Sequence, residues 1–168
     1  MSTVPHPDVT PISVQCAVIT ISDTRTQESD RSGQIIQQFL IEANHQTLIY
    51  RILPDEPQQI STLLQELSEL SKLEAIIFNG GTGIAPRDTT YEAISQLLEK
   101  TLPGFGEIFR FLSYQEIGSR AIASRAIAGI YRQKLIFLLP GSYNAVKLAL
   151  EKLILSELVH LVKQIKGI

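Results

Sequence analysis

The stretch Ala75-Ile-Ile-Phe-Asn-Gly-Gly-Thr-Gly-Ile-Ala-Pro-Arg-Asp-Thr-Thr90 decides the fold of this 168-residue chain. Ala75 to Phe78 reads as a short buried strand, and residues 91–100 after the turn carry a helix-like pattern. A strand that runs through glycines into a helix is the unit of an α/β protein, and that turn is where such proteins hold anions. Gly80, Gly81 and Gly83 lack a Cβ, so the backbone can turn tightly and direct N–H groups at an oxyanion. The helix N-terminus adds about half a positive charge. Asp88 sets a carboxylate beside the same turn, which suits a divalent cation. Plain turn chemistry also accounts for the glycines, because such a connection needs residues with positive φ. Neither common nucleotide fingerprint is met: Gly-x-x-x-x-Gly-Lys-Ser/Thr is absent, and Gly80-Gly-Thr-Gly83 lacks the dinucleotide spacing.

The same alternation continues on either side. Residues 14–21 are almost continuously apolar and read as an inner strand covered on both faces. A polar loop over 22–32 leads to a helix over 33–44 with Ile35, Ile36, Phe39, Leu40 and Ala43 at helical spacing. Residues 47–53 form the next strand. Residues 57–72 form a helix with Ile60, Leu63, Leu64, Leu67 and Leu70 inward and Pro57 in its first turn. Residues 134–139 are another buried strand, and 144–165 a long final helix. Strands alternating with helices predict a three-layer α/β/α sandwich on a mostly parallel central sheet. Its functional loops belong at the carboxyl ends of the strands. Pro54-Asp55-Glu56 and Leu139-Pro-Gly-Ser142 end two further strands, so three polar turns are expected to meet at one end of the sheet.

At 44% hydrophobic and 19% charged, the composition is that of one globular core. A single domain over residues 13–168 is expected, preceded by an extended tail over 1–12 that carries Pro5, Pro7 and Pro11. A net charge of −2 without a basic stripe argues against a nucleic-acid partner. No apolar run approaches the roughly 18 to 20 residues of a membrane span, and the N-terminus lacks a signal pattern, so a cytoplasmic protein is expected. Cys16 is the lone cysteine and reads as a buried structural thiol. His6, His45 and His160 are too scattered for a zinc site and read as surface or incidental residues. Residues 104–118 and the final helix carry more apolar surface than one sheet can cover. Phe105, Ile108, Phe109 and Leu112 make one stripe, while Phe111 and Tyr114 point elsewhere. Such a helix is either an interface or buried between the sheet and neighbouring loops.

With these pieces in place the chain resembles the MoaB/MogA family of molybdenum cofactor biosynthesis proteins. The resemblance is carried by Ile19-Thr-Ile-Ser-Asp23, Leu53-Pro-Asp55, Asn79-Gly-Gly-Thr-Gly83 with Arg87, Asp88 and Thr90, Gly104-Phe-Gly-Glu-Ile-Phe-Arg110, Ser124-Arg-Ala126 and Leu139-Pro-Gly-Ser142. The Gly-Phe-Gly-Glu block, Ser113-Tyr-Gln-Glu-Ile-Gly118 and the Ser-Arg-Ala-x-Ala-Gly run are similar to the B branch. The resemblance implies a molybdopterin-binding fold and adenylyl transfer from ATP to the terminal phosphate of molybdopterin, with pyrophosphate released.

It further implies that Asp55 and Asp88 are catalytic and hold Mg²⁺, hard oxygen ligands being what that ion prefers. The bland alternatives are a turn residue after Pro54 and a helix N-cap before Thr89. Gly80, Gly81, Thr82 and Gly83 would bind phosphate or sulfur on the pterin side. Ser22 and Asp23 would form pocket wall or merely cap a strand end. Ser124 and Arg125 would supply a hydroxyl and a cation, and Pro140, Gly141 and Ser142 the floor. The family forms trimers and hexamers and works beside other enzymes of the cofactor pathway. Tyr91 and Tyr143 stand where many members have proline, which removes helix pre-organisation rather than chemistry. Some B-type members do not adenylylate, so the rival reading is a non-catalytic molybdopterin-binding or scaffold protein with the same pocket.

Overall fold

Parity along three apolar strands sets the layers. In the computed structural model, which describes residues 10–168, strand β1 (Gln15–Ile21) turns Cys16 and Val18 to one side of the sheet and Ala17, Ile19 and Ile21 to the other. β3 (Ala75–Asn79) and β6 (Lys134–Leu139) divide likewise. Ala75, Ile77, Leu135 and Phe137 join the first side, and Ile76, Phe78, Ile136 and Leu138 the second. Successive strand residues face opposite ways, so strands apolar at every position must be covered on both faces. Helices α1 (Arg31–Glu42) and α4 (Pro103–Ile117) cover the first face together with the C-terminal helix. That helix runs as α5 (Tyr143–Ala149), a π turn over Leu150–Ile154 and α6 (Leu155–Lys166). The second face is covered by α2 (Pro57–Ser68) and α3 (Thr90–Ser95). This is the expected α/β/α sandwich.

Adding β2 (Gln46–Leu53), β4 (Lys100–Thr101) and β5 (Ile127–Tyr131), the sheet order is β2-β1-β3-β6-β5-β4. β1 pairs in parallel with β2 and β3, and β3 with β6, whereas β5 is antiparallel to both of its neighbours. The chain leaves β1 for β2 on one flank and then crosses to β3 on the other. The topological switch therefore lies between β1 and β3, and the loops after β1, β2, β3 and β6 gather at one end.

Several local expectations are corrected. The helix expected over 91–100 is only α3, because the edge of β5 captures the backbone where Glu99 N–H donates to Ile130 O at 2.8 Å. α2 stops at Ser68, whose hydroxyl donates back to Gln65 O at 2.6 Å; Leu70 is 43% exposed rather than inward. Lys134 Nζ then donates to the carbonyls of Leu70 and Leu73, at 2.8 and 2.7 Å. The β5–β6 hairpin is an addition to the expected elements. Its two-residue turn, Arg132-Gln133, holds φ at +44° and +63°, a conformation usually signalled by Asn-Gly.

His45 is neither superficial nor incidental: it is buried, and its Nδ1 accepts from Val14 N–H at 3.1 Å. Ile108, placed in the buried stripe, is half exposed, while Phe109 is fully buried against Phe105 and the core around Phe137. Of the tail expected over 1–12, residues 1–9 lie outside the described residues, as does His6. Ile12 packs on the core and Thr10 O accepts from Lys163 Nζ at 2.7 Å. No helix among the described residues is long and apolar enough to cross a membrane.

Candidate functional site

The glycine turn after β3 is the centre of the carboxyl-end loops. Gly80 and Gly81 have φ of +103° and +67°, which L side chains rarely adopt. A Cβ on Gly81 would lie 2.0 Å from Thr90 Oγ1 and 2.4 Å from Asp55 Oδ2; one on Gly83 would lie 2.5 Å from Asp88 Oδ2. Two carboxylates thus pack directly under the same turn, two residues apart along it. Gly81 O accepts from Thr90 N–H at 3.1 Å, and Arg125 donates to Thr82 O and Gly83 O at 2.8 and 2.6 Å. With three successive carbonyls held by the protein, no described residue accepts from the amides of Gly81, Thr82 or Gly83. Those amides are left as unengaged donors at the turn where an anion site is expected.

The carboxylates differ in their surroundings. Asp55 is buried and accepts from Thr89 Oγ1 at 2.7 Å, Thr90 Oγ1 at 3.1 Å and Thr89 N–H at 3.2 Å. It thereby serves the start of α3 from another loop, since Thr89 at the N-cap position makes no side-chain cap of its own. Asp88 is half-buried and, among the described residues, accepts only from Ala85 N–H, at 3.2 Å, closing the loop ahead of α3. Asp23 is exposed. Its Oδ1 accepts from Asp55 N–H at 3.0 Å, and Arg87 grips it in a two-pronged ion pair at 2.8 Å per contact while also reaching Glu56 Oε1 at 2.8 Å. The Arg87 hydrogen bonds hold the Asp23 carboxyl below its ordinary range. Ser22 is a turn cap, its Oγ accepting from Thr24 and Arg25 N–H at 3.2 and 3.0 Å.

On the other side of the turn opens a cavity of about 760 Å³. Thr82, Gly83, Ser124, Arg125, Pro140 and Ser142 line it, so these predicted residues are brought together. Asp23, Asp55 and Asp88 do not line it; they flank the same turn from the α2 and α3 side. Arg125 is held across the two zones by Glu92, whose carboxyl that contact lowers, and it lies 4.7 Å over the Tyr91 ring. Ser142 caps α5, accepting from Ala145 N–H at 3.3 Å. Gly141 presses against Gly80: a Cβ on Gly141 would lie 3.1 Å from the Gly80 Cα, so the turn after β6 sits directly on the turn after β3.

Sequence reasoning missed the node that ties these turns together. Asp30 is fully buried and accepts from Thr20 Oγ1 and Tyr50 Oη, each at 2.6 Å, and from Gly33 N–H at 3.0 Å as the N-cap of α1. Thr20 accepts in turn from Asn79 Nδ2 at 2.9 Å, at the root of the glycine turn. Arg25 pairs with Asp30 at 3.5 Å and donates to Gly141 O at 2.9 Å, where Ser32 Oγ also donates at 2.8 Å. One buried carboxylate thus braces the ends of β1, β3 and β6. The spacing Asp30-x-x-Gly33 was its only local signal. Burial and the Asp30 contact push the Tyr50 hydroxyl pKa up. Arg31, Glu116, Arg120 and Tyr143, all lining the cavity, had no local signal.

Comparison with known proteins finds relatives over nearly the whole chain. The family described as a probable molybdopterin binding domain matches residues 17–160. Molybdenum cofactor biosynthesis protein B of Halalkalibacterium halodurans is 50% identical over 166 residues, 98% of each chain. A crystal structure of a molybdenum cofactor biosynthesis protein B superposes with a TM-score of 0.92 at 45% identity, covering 95% of this chain and 99% of that one. The tungsten cofactor synthesizing protein MoaB from Pyrococcus furiosus gives 0.82 at 38% identity, over 92% and 98%. This chain belongs to the MoaB/MogA family of molybdenum cofactor biosynthesis proteins.

Proposed function

We propose that the protein is a molybdopterin adenylyltransferase. In the reaction an oxygen of the terminal phosphate of molybdopterin attacks the α-phosphorus of ATP, a P–O bond forms, and the bond to the β-phosphate breaks to release pyrophosphate. The observation that carries the reading is the packing of the Asp55 and Asp88 carboxylates under Gly81 and Gly83, beside three amides that no described residue engages. Triphosphate and pterin phosphate repel, two unit charges at 4 Å costing about 4 kcal/mol at an effective dielectric of 20. A site for this reaction must answer that repulsion with positive charge.

Asp55 and Asp88 fit Mg²⁺, whose usual shell is one or two carboxylates with the remainder supplied by phosphate and water. When bound, the ion would supply charge neutralisation to the phosphates; Asp88, with fewer protein contacts, is the freer ligand. The chain's own groups do the rest. The amides of Gly81, Thr82 and Gly83 hold an oxyanion; Thr90 N–H on Gly81 O fixes the peptide plane of the Thr82 amide and Arg125 on Thr82 O that of the Gly83 amide, while Ser124, Pro140 and Ser142 shape the cavity for the pterin and Gly141 braces the glycine turn from behind. Asp23 and Ser22 keep the loop after β1 against Asp55. We further propose a cytoplasmic homo-oligomer, a trimer or hexamer, that works beside other enzymes of the cofactor pathway.

The test is product analysis after incubating purified protein with molybdopterin, ATP and Mg²⁺. Adenylylated pterin is expected. The engagement of Asp55 by Thr89 and Thr90 favours a second reading, a non-catalytic molybdopterin-binding scaffold. Tight pterin binding with no adenylylated product under any divalent cation would leave that reading standing alone.

A further inference from the structure

The cavity beside the glycine turn holds more positive charge than the protein itself engages. Three guanidinium groups stand on its wall, Arg31, Arg120 and Arg125, against one carboxylate, Glu116. Arg125 is occupied by the Thr82 and Gly83 carbonyls and by Glu92. Arg31 and Arg120 form no ion pair and donate no side-chain hydrogen bond to a described residue. The Arg31 guanidinium instead lies 5.2 Å over the Tyr143 ring, which orients its head group without neutralising it. Arg120 escapes Glu116 because Gly118, at φ +62°, ends α4 between them, so the two are not neighbours one turn apart on a continuous helix.

The same wall offers the hydroxyls of Ser113, Ser124 and Ser142. Guanidinium forks match the oxygens of phosphate, and a doubly charged phosphate answers two free cations where a carboxylate answers one. We propose that Arg31 and Arg120 form a phosphate subsite, additional to the glycine-turn amides, that grips a phosphate or diphosphate group of the cavity's ligand. Tyr143 is a positioning residue that holds Arg31 in place. The inference rests on the reading of this cavity as the ligand site.

Calorimetric titration of the full chain with inorganic pyrophosphate tests it. Arg31→Gln/Arg120→Gln should weaken binding at least tenfold, and Arg31→Lys/Arg120→Lys should recover part of the loss. Arg51→Gln, exposed on β2 and outside this cavity, should bind as wild type does. Tyr143→Ala should weaken binding and Tyr143→Phe, which keeps the ring, should restore it. The proposal is overturned if wild type does not bind pyrophosphate, or if the double glutamine variant melts normally and binds within twofold of wild type. Should that variant melt early, the two single glutamine variants decide, a loss under twofold in both overturning the proposal. Binding lost in the variant while wild type forms no adenylylated pterin sinks the adenylyl-transfer reading and leaves the subsite. Product formed by the variant at the wild-type KM for both substrates does the reverse.

Discussion

Asp55 and Asp88 reach the glycine turn by different routes, and that difference separates structural from chemical roles. Asp55 is buried and takes hydrogen bonds from Thr89 and Thr90, so Asp55→Asn should lower unfolding free energy by about 1.5 to 3 kcal/mol, the range for hydrogen bonds to a charged group. Asp88→Asn removes charge from a half-exposed carboxylate with one amide donor and should stay within about 0.5 kcal/mol of wild type. In the adenylylation assay both should lose about a hundredfold or more in turnover, roughly 3 kcal/mol of transition-state stabilisation. Pterin affinity should stay level or rise, because the pterin phosphate loses a repelling neighbour. Full activity in Asp88→Asn would reduce Asp88 to the residue that closes the Ala85 turn. Gly81 is a poor probe of anion binding, since any side chain there strikes Asp55 and Thr90 before it meets a ligand.

At the scale of elements, His45 ties the start of β1 to the entry of β2 through its bond from Val14 N–H. Burial pushes its pKa below the ordinary value, with Glu74 opposing the shift. The unfolded chain therefore binds a proton that the folded chain refuses. The stabilising effect is complete above the unfolded value of about 6.5 and is lost as pH falls below it toward the depressed folded value. Melting temperature should fall between pH 7.5 and 5.5, and His45→Gln, which keeps an acceptor but no titration, should fall less; equal slopes would remove His45 as the cause. In the β5–β6 turn, Gln133→Gly should stabilise by about 1 kcal/mol in urea unfolding, relieving a positive φ that glycine adopts freely. That turn also explains what the sequence could not disclose. β1, β3 and β6 are legible because each carries a nearly continuous apolar run, polar only at Gln15 and Thr20, at Asn79 and at Lys134, that needs two-sided cover. β5 hides because Arg132-Gln133 carries no turn signature and Gly129 interrupts the apolar run of Ile127–Tyr131. The glycine turn and its two aspartates could be read locally, whereas the cavity joins α1, α4 and α5, whose meeting depends on the whole packing.

Across the whole molecule the unpartnered surface gathers on α4. Ile108, Phe111, Tyr114 and Ile117 recur every third residue and are all at least half exposed, with Ile122 beyond them on the following turn. Phe109, between them in sequence, is fully buried, so α4 packs on the sheet through Phe109 and presents a second apolar ridge outward. The ridge side chains are already about half covered, so burial by another copy would add about half of the roughly 1.5 to 3 kcal/mol that full burial of each contributes. Ile117 belongs both to the ridge and to the cavity wall, which places the contact beside the proposed ligand site. In the proposed trimer or hexamer the ridge would face a different surface of the next copy, as a closed ring of head-to-tail contacts requires. Light scattering at micromolar concentration should therefore return a trimer or a multiple of it rather than a species of 18.7 kDa. Phe111→Asp puts a charge on the ridge while leaving the core intact, and should shift the mass downward at an unchanged circular dichroism spectrum. Phe109→Asp cannot make this distinction, because it drives a carboxylate into the core and unfolds the chain whether or not copies associate. A wild-type monomer at these concentrations, or a Phe111→Asp variant that keeps the full oligomeric mass, would exclude the α4 ridge as the contact.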